Sequence, residues 1–175
     1  MSEGKHLLRG AVAGLVGGLI ASWVMNEFMA GSGRKLQQAV QSSEGNQRQQ
    51  TISEQPKEDA TMKAADAIVS VTTGGRHLSS GQKEKAGPVI HYAFGALMGA
   101  LYGAAAEYWP SARAGFGTTF ASALFAGAEL IAVPVLQLGP SPEGEPSSAL
   151  LSPFSARLLY GSTTELVRSI VRGAM

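Results

Sequence analysis

Ionisable side chains that lie inside apolar stretches are the part of this sequence that could carry chemistry. Four of them, Glu27, His91, Glu129 and Arg157, fall within or at the ends of long runs rich in Ala, Gly, Leu, Val and Phe. A charge in hydrocarbon is costly, so such residues pair with one another or line a path for ions or protons. We therefore predict that these four residues form a buried polar cluster.

Glu129 is the most informative member of this cluster because it lies well inside its apolar run. Pro134 follows it, and since proline has no amide hydrogen, the carbonyl of Leu130 loses its helical donor. Two interpretations remain open. A buried ion pair between Glu129 and Arg157 could fix the helix register, with His91 bonded to a backbone carbonyl. Alternatively, the cluster could form a pH-responsive proton or ion pathway.

A second polar layer is predicted at the opposite face of the membrane, from Glu107, Glu165 and Arg168. Glu107 precedes the segment Tyr108-Trp109-Pro110, so we expect it to end a helix at an aromatic interface belt and to meet water or Arg113. Glu165 and Arg168 are three residues apart, which predicts an intrahelical pair worth little in isolation.

Composition and motifs provide no support for catalysis. The chain has no cysteine, which excludes disulfides, thiolate metal sites and a cysteine nucleophile. It contains no GxxxxGK[ST], HExxH or GxSxG motif. Its 14 basic and 13 acidic residues give a net charge of +1, too small to indicate a nucleic-acid partner. We expect a protein that is not an enzyme and has neither a metal nor a cofactor.

The distribution of apolar residues predicts an all-α fold with four transmembrane helices in one membrane domain, residues 1–175. A hydrocarbon core about 30 Å thick needs about 20 helical residues to cross it. Four stretches meet this requirement, at 7–29, 88–109, 113–136 and 153–172. The last is interrupted by charges, so an amphipathic helix lying in the interface is its alternative.

A long polar segment, residues 30–87, separates the first two predicted spans. Within it, Met62, Ala65, Ile68 and Val69 recur at helical spacing. This pattern predicts a short amphipathic helix at about 58–73 that lies on the membrane surface or on the bundle. A solvated connector is the alternative.

Glycines recur in steps of four in both of the first two predicted spans. The two rows are Gly10, Gly14 and Gly18, and Gly95, Gly99 and Gly103. Small residues at this spacing let membrane helices approach closely. The rows indicate either that the two spans pack against each other or that one row joins two copies of the chain.

The distribution of Lys and Arg in short loops predicts the orientation. Arg113 lies at the turn between the second and third spans, and Arg168 and Arg172 lie at the C-terminal end of the fourth. Residues 137–152 contain neither Lys nor Arg. Because basic loops stay in the cytoplasm, we expect both termini on the cytoplasmic side of a bacterial inner membrane.

Several segments of the sequence resemble the YagU-like family of uncharacterised bacterial inner-membrane proteins. The segments are His91-Tyr-Ala-Phe-Gly-Ala-Leu-Met-Gly-Ala-Leu-Tyr-Gly, Glu129 with Pro134, and Glu165-Leu-Val-Arg168. The resemblance implies an inner-membrane location and a loose association with acid tolerance. The family pattern has histidines in the third and fourth helices where this chain has Glu129 and Arg157, so the chemistry of the cluster differs.

The sequence therefore predicts a structural or accessory membrane bundle, or one that associates with itself through its glycine faces. Its expected partners are the lipid bilayer and either a membrane-protein complex or further copies of the chain, with no nucleic acid. The alternative function is the pH-responsive proton or ion pathway.

Overall fold

The computed structural model describes residues 2–33, 60–128, 135 and 147–175. Five α-helices account for most of this part of the chain, which contains no β-strand. They are α1 (Ser2–Phe28), α2 (Ala60–Thr73), α3 (Ser80–Tyr108), α4 (Thr118–Phe125) and α5 (Ser147–Ala174). A π-helical turn (Met29–Gly33) extends α1, and a 3-10 turn (Pro110–Arg113) follows α3. The predicted all-α fold class is confirmed.

Two of the described helices are long and apolar enough to cross a membrane, over Gly4–Gly31 and Ser80–Tyr108. They correspond to the first two predicted spans. An apolar helix over Thr118–Ala128 is shorter. The rest of the third predicted span, with Glu129 and Pro134, lies outside the described residues. The fourth predicted span lies within α5, and the four-span arrangement stays a prediction.

Two helices begin at positions that differ from the predicted spans. α3 begins at Ser80, well before residue 88, because the side chain of Gln82 accepts a hydrogen bond from the Ser79 amide at 3.0 Å and caps the helix. α4 begins at Thr118 instead of residue 113. The residues just before it, 115–117, all have left-handed backbone angles that no α-helix can contain.

α1 lies between α3 and α5 and runs antiparallel to both. The contacts follow this order: Gly10 faces Gly103 and Gly18 faces Gly95, whereas Gly17 faces Thr164 of α5. α3 and α5 therefore run parallel to each other, and α4 packs against α5. The start of α1 and the ends of α3 and α5 share one end of the bundle, which we call the basic end.

The two glycine rows face each other across the α1–α3 contact. A Cβ atom added at Gly14 would lie 2.8 Å from the Gly103 Cα, and one added at Gly99 would lie 2.7 Å from the Gly18 Cα. Such distances leave no room for any side chain. Both rows are thus used within one chain, and a contact between copies would need a different surface.

Glycines outside these two rows also make close contacts. A Cβ at Gly17 would lie 2.7 Å from the Thr164 carbonyl oxygen of α5, and one at Gly161 would lie 2.6 Å from the Ala121 Cβ of α4. These contacts bring α5 against α1 on one side and against α4 on the other. The sequence analysis did not single out either position.

α2 packs against the first turns of α3 and forms a helical hairpin with it. Ala65 is buried in this contact, whereas Ile68, predicted on the same apolar face, is exposed. Asp66 closes the hairpin. Its carboxylate accepts hydrogen bonds from the Leu78 amide at 2.6 Å and from His77 Nδ1 at 3.0 Å, and Lys83 Nζ lies 3.3 Å away.

Lowering the pH is expected to loosen this hairpin, because the contacts of Asp66 require an ionised carboxylate. Hydrogen bonds from His77 and from the Leu78 amide lower the pKa of Asp66 from 3.8 to about 2. A carboxyl group with a lower pKa in the folded state stabilises the fold above its unfolded pKa, and this contribution is lost as the pH falls. Amide hydrogen exchange at Leu78, corrected for its intrinsic rate, should accelerate between pH 4 and pH 2. Asp66→Asn should abolish this pH dependence, and a variant that keeps it would contradict the assignment.

Replacing Gly99 with alanine is expected to destabilise the bundle, because the new methyl group would overlap the backbone of α1 at Gly18. Overpacking of this kind typically costs about 1–3 kcal/mol. Gly81→Ala is the matched control, since a Cβ there meets nothing within 4 Å and alanine favours the helix. Thermal unfolding in detergent should show a lower Tm for Gly99→Ala and an unchanged or higher Tm for Gly81→Ala. Equal Tm values for the two variants would refute the close approach.

Candidate polar site within the bundle

The interior of the bundle is built from small and polar residues. Among the described residues the buried apolar side chains are mostly alanines, accompanied by Tyr102, Phe125 and Tyr160. Four polar side chains are buried with them: Ser22, Thr164, Glu165 and Arg168. Buried charges need partners and buried hydroxyls need hydrogen bonds, so these groups define the candidate site.

An ion pair inside α5 forms the buried charged part of the site. Arg168 donates from Nε and Nη2 to the two carboxylate oxygens of Glu165, at 2.7 and 2.8 Å. The hydroxyl of Tyr102 on α3 donates to Glu165 Oε2 at 2.8 Å. Glu165 is 5% exposed and Arg168 is 3% exposed. Because both charges are out of solvent and bidentately paired, the interaction is stronger than the isolated intrahelical pair that the sequence predicted.

A second ion pair joins α3 to α5 at the basic end. Arg172 Nε donates to Glu107 Oε1 at 2.8 Å, and Arg172 Nη2 lies 3.2 Å from both Glu107 Oε2 and His6 Nδ1. The charged partner of Glu107 is therefore Arg172 and not the predicted Arg113, while the Glu107 side chain stays 16% exposed. Since α3 and α5 run parallel, the end of α5 brings Arg172 level with Glu107.

At the other end of the bundle a small cavity lies between the helices. It has a volume of about 10 Å³, about the space that one water molecule needs. Ser22, His91, Arg157 and Tyr160 are its polar lining residues. The Tyr160 hydroxyl donates to the Gly95 carbonyl at 2.6 Å, which ties α5 to the glycine row of α3.

The polar groups that line the cavity differ in their contacts. Arg157 Nη1 lies 3.7 Å from the sulfur of Met25 on α1. The side chain of Ser22 is 1% exposed, and within the described part of the chain its hydroxyl has no hydrogen-bond partner. Hydrogen-bond donors of α1, α3 and α5 therefore line a space of about the size of one water molecule. Such a space suits a water molecule bonded to Ser22.

The structure brings together two of the four residues predicted to form the buried cluster. His91 and Arg157 line the cavity, whereas Glu129 lies outside the described residues. Glu27 is exposed, so its assignment to the buried cluster is wrong. It is five residues beyond Ser22, which places it about 140° around the helix from the side that faces the cavity.

Tyr102, Tyr160 and Thr164 are buried within the site and were not predicted from the sequence. A signal for two of them was present. Tyr160, Thr164 and Arg168 follow one another in steps of four, and a row of this kind marks one face of a helix. Tyr102 had no comparable signal, because an isolated tyrosine in an apolar helix is equally expected at an interface.

The described residues contain no group of three or more His, Cys, Asp and Glu side chains that could hold a metal ion. What the site does offer is a set of charged groups held by hydrogen bonds between helices, and a cavity of the size of one water molecule. The hydrogen bonds between helices fix their relative positions.

The chain belongs to a protein family of unknown function, DUF1440, whose family model matches residues 50–166. The match covers α2, α3, α4 and most of α5, and it leaves out α1, Arg168 and Arg172. No curated protein and no solved structure matches the chain.

Replacing Arg168 with methionine should destabilise the bundle strongly, because the Glu165 carboxylate would then be buried without its cation. Removing one partner of a buried ion pair typically costs about 3–5 kcal/mol. Arg172→Met is the matched control, since the Glu107–Arg172 pair is more exposed and its loss should lower the Tm less. The double variant Glu165→Gln/Arg168→Met should recover part of the loss. Equal Tm changes for Arg168→Met and Arg172→Met, measured in detergent, would refute the burial of the charge.

Proposed function

We propose that this member of the DUF1440 family is an integral membrane protein of the bacterial inner membrane with a structural or accessory role. It forms a rigid helical bundle with a small-residue interior, and it offers its outer surface to lipid and to a partner membrane protein or a further copy of itself. The proposal accords with the resemblance to the YagU-like family.

The observation that carries this proposal is the reversed distribution of apolar side chains. Leu15 and Trp23 of α1, and Leu97 and Leu101 of α3, are exposed, whereas the helix contacts are made by glycine and alanine. A protein that folds in water places such leucines in its core, and contiguous exposed apolar surfaces mark interaction sites. In lipid the same distribution is expected, because the tails are as apolar as leucine and only close packing joins the helices.

The charged groups of α5 also lie where a membrane protein needs them, inside the bundle and away from lipid. The charges of Glu165 and Arg168 face each other inside the bundle, whereas Leu166 and Ile170 of α5 are exposed. Ionisable residues in membrane helices face the interior and pair with one another. This pairing supports α5 as a membrane-crossing helix despite its charges, and it supports the four-span arrangement.

The orientation that we propose places the basic end in the cytoplasm. Tyr108 and Trp109 are exposed at the end of α3, where an aromatic belt meets the headgroups. Lys5, Arg9 and Arg113 are exposed at the same end. The excess of basic residues that is typical of cytoplasmic loops supports this orientation, with both termini in the cytoplasm.

Single-cysteine labelling tests the insertion directly, and the chain is suited to it because it has no cysteine of its own. Spin labels at Leu15→Cys and Leu97→Cys in proteoliposomes should be accessible to oxygen, which partitions into lipid, and protected from a water-soluble nickel complex. Arg76→Cys, at an exposed position between α2 and α3, should behave in the opposite way. Strong nickel access at Leu15→Cys and Leu97→Cys would refute insertion.

The cavity lined by Ser22, His91 and Arg157 favours a second candidate function, the proton or ion pathway. The same proteoliposomes distinguish the two candidates. A structural bundle leaves an imposed pH gradient as stable as it is in protein-free liposomes. A dissipation of the gradient that depends on the protein and is lost in His91→Leu would replace the structural role with the pathway.

A further inference from the structure

The loop between α3 and α4 holds an aromatic side chain in a strained conformation. Phe116 has φ +54°, and it lies between Gly115 at +65° and Gly117 at +82°. The left-handed region costs little at glycine but is an outlier for a bulky side chain. A Cβ at Gly117 would overlap the Gly161 carbonyl of α5, so this turn is fixed by its contact with α5 and determines where Phe116 points.

Packing within the bundle does not account for the position of Phe116. Its side chain is 52% exposed, and Tyr108 and Trp109, at the start of the same loop, are exposed as well. Strained residues persist where the surrounding structure over-determines them, and they cluster at sites that bind a ligand or a partner. Three exposed aromatic rings at the end of a membrane-crossing helix lie at the depth of the lipid headgroups.

The charges around this loop are mainly positive. Arg113 is exposed within the loop, and Lys5 and Arg9 are exposed on α1 at the same end. The described carboxylates of this end, Glu107 and Glu165, are already paired with Arg172 and Arg168. The exposed cations Arg113, Lys5 and Arg9 therefore make no ion pair with the described side chains.

We propose that the basic end binds the headgroups of anionic phospholipids, with the Arg113 guanidinium on the phosphate and the Phe116 ring inserted at the boundary of the acyl chains. Guanidinium groups bind phosphate oxygens in a bidentate manner, and basic residues beside a membrane attract anionic lipid. The proposal rests on the proposed membrane insertion and adds the class of lipid that the protein selects.

Native mass spectrometry of the full-length protein, released from mixed phosphatidylglycerol and phosphatidylcholine vesicles, tests this selection. The wild type should retain phosphatidylglycerol in preference to phosphatidylcholine. Arg113→Gln should bind phosphatidylglycerol about fivefold more weakly, as expected for the loss of one basic residue at an anionic surface. Arg76→Gln, which removes an exposed arginine outside the basic end, should retain the wild-type preference. Equal retention of the two lipids by the wild type, or equal effects of the two variants, would overturn the proposal.

Phe116→Gly provides a second measurement, because its expected effects on the Tm are opposite in detergent and in lipid. In detergent it should raise the Tm, because glycine adopts the left-handed conformation without strain. In phosphatidylglycerol it should reduce the rise in Tm that this lipid gives the wild type. A variant that keeps the full lipid-dependent rise would overturn the role of the ring. If the wild type inserts in vesicles but shows no lipid preference, only this proposal fails, whereas a wild type that does not insert refutes the proposed function itself.

Discussion

The close approach of the α1 and α3 backbones is the contact on which the rest of the bundle depends. Because Gly14 and Gly99 lack side chains, the two helices meet backbone to backbone. This approach fixes their antiparallel register, since a shift by one residue would bring a side chain into the contact. The register in turn places His6 beside the end of α3 and Ser22 beside Gly95. The ion pair at the basic end and the cavity at the other end both depend on this register.

The small-residue contact also explains why the interior is polar. Helices that meet through glycine leave no space for leucine between them, and the large apolar side chains must point outwards. α5 then fills the groove beside this contact, and its polar side chains form hydrogen bonds with α3. Tyr160 donates to the Gly95 carbonyl and Glu165 accepts from Tyr102. Because these groups are buried, each needs a hydrogen-bond partner within the protein.

Local patterns in the sequence predicted the helices and the glycine rows, because spacing along one helix determines which residues share a face. Partners on different helices could not be predicted in this way. Glu107 was expected to meet the neighbouring Arg113, yet its partner is Arg172, which is distant in sequence and reaches it only because α3 and α5 run parallel. Glu27 was assigned to the buried cluster from its depth along the chain, and rotation around the helix placed it outside. Depth follows from sequence position, whereas the side of a helix that is buried depends on its neighbours.

The distribution of polar contacts favours a structural role over transport. α5 is joined to α3 at three levels: by Glu107–Arg172 at the basic end, by Tyr160–Gly95 farther along the bundle, and by Tyr102–Glu165 between them. Movement of α5 along α3 would break these bonds together and would separate Glu107 from Arg172. A pathway needs groups that can change partners. The Glu165 carboxylate accepts two hydrogen bonds from Arg168 and one from Tyr102, so it has no free acceptor on the side of Tyr102. The fixed interior therefore favours a function carried by the outer surface, as the proposed structural role requires.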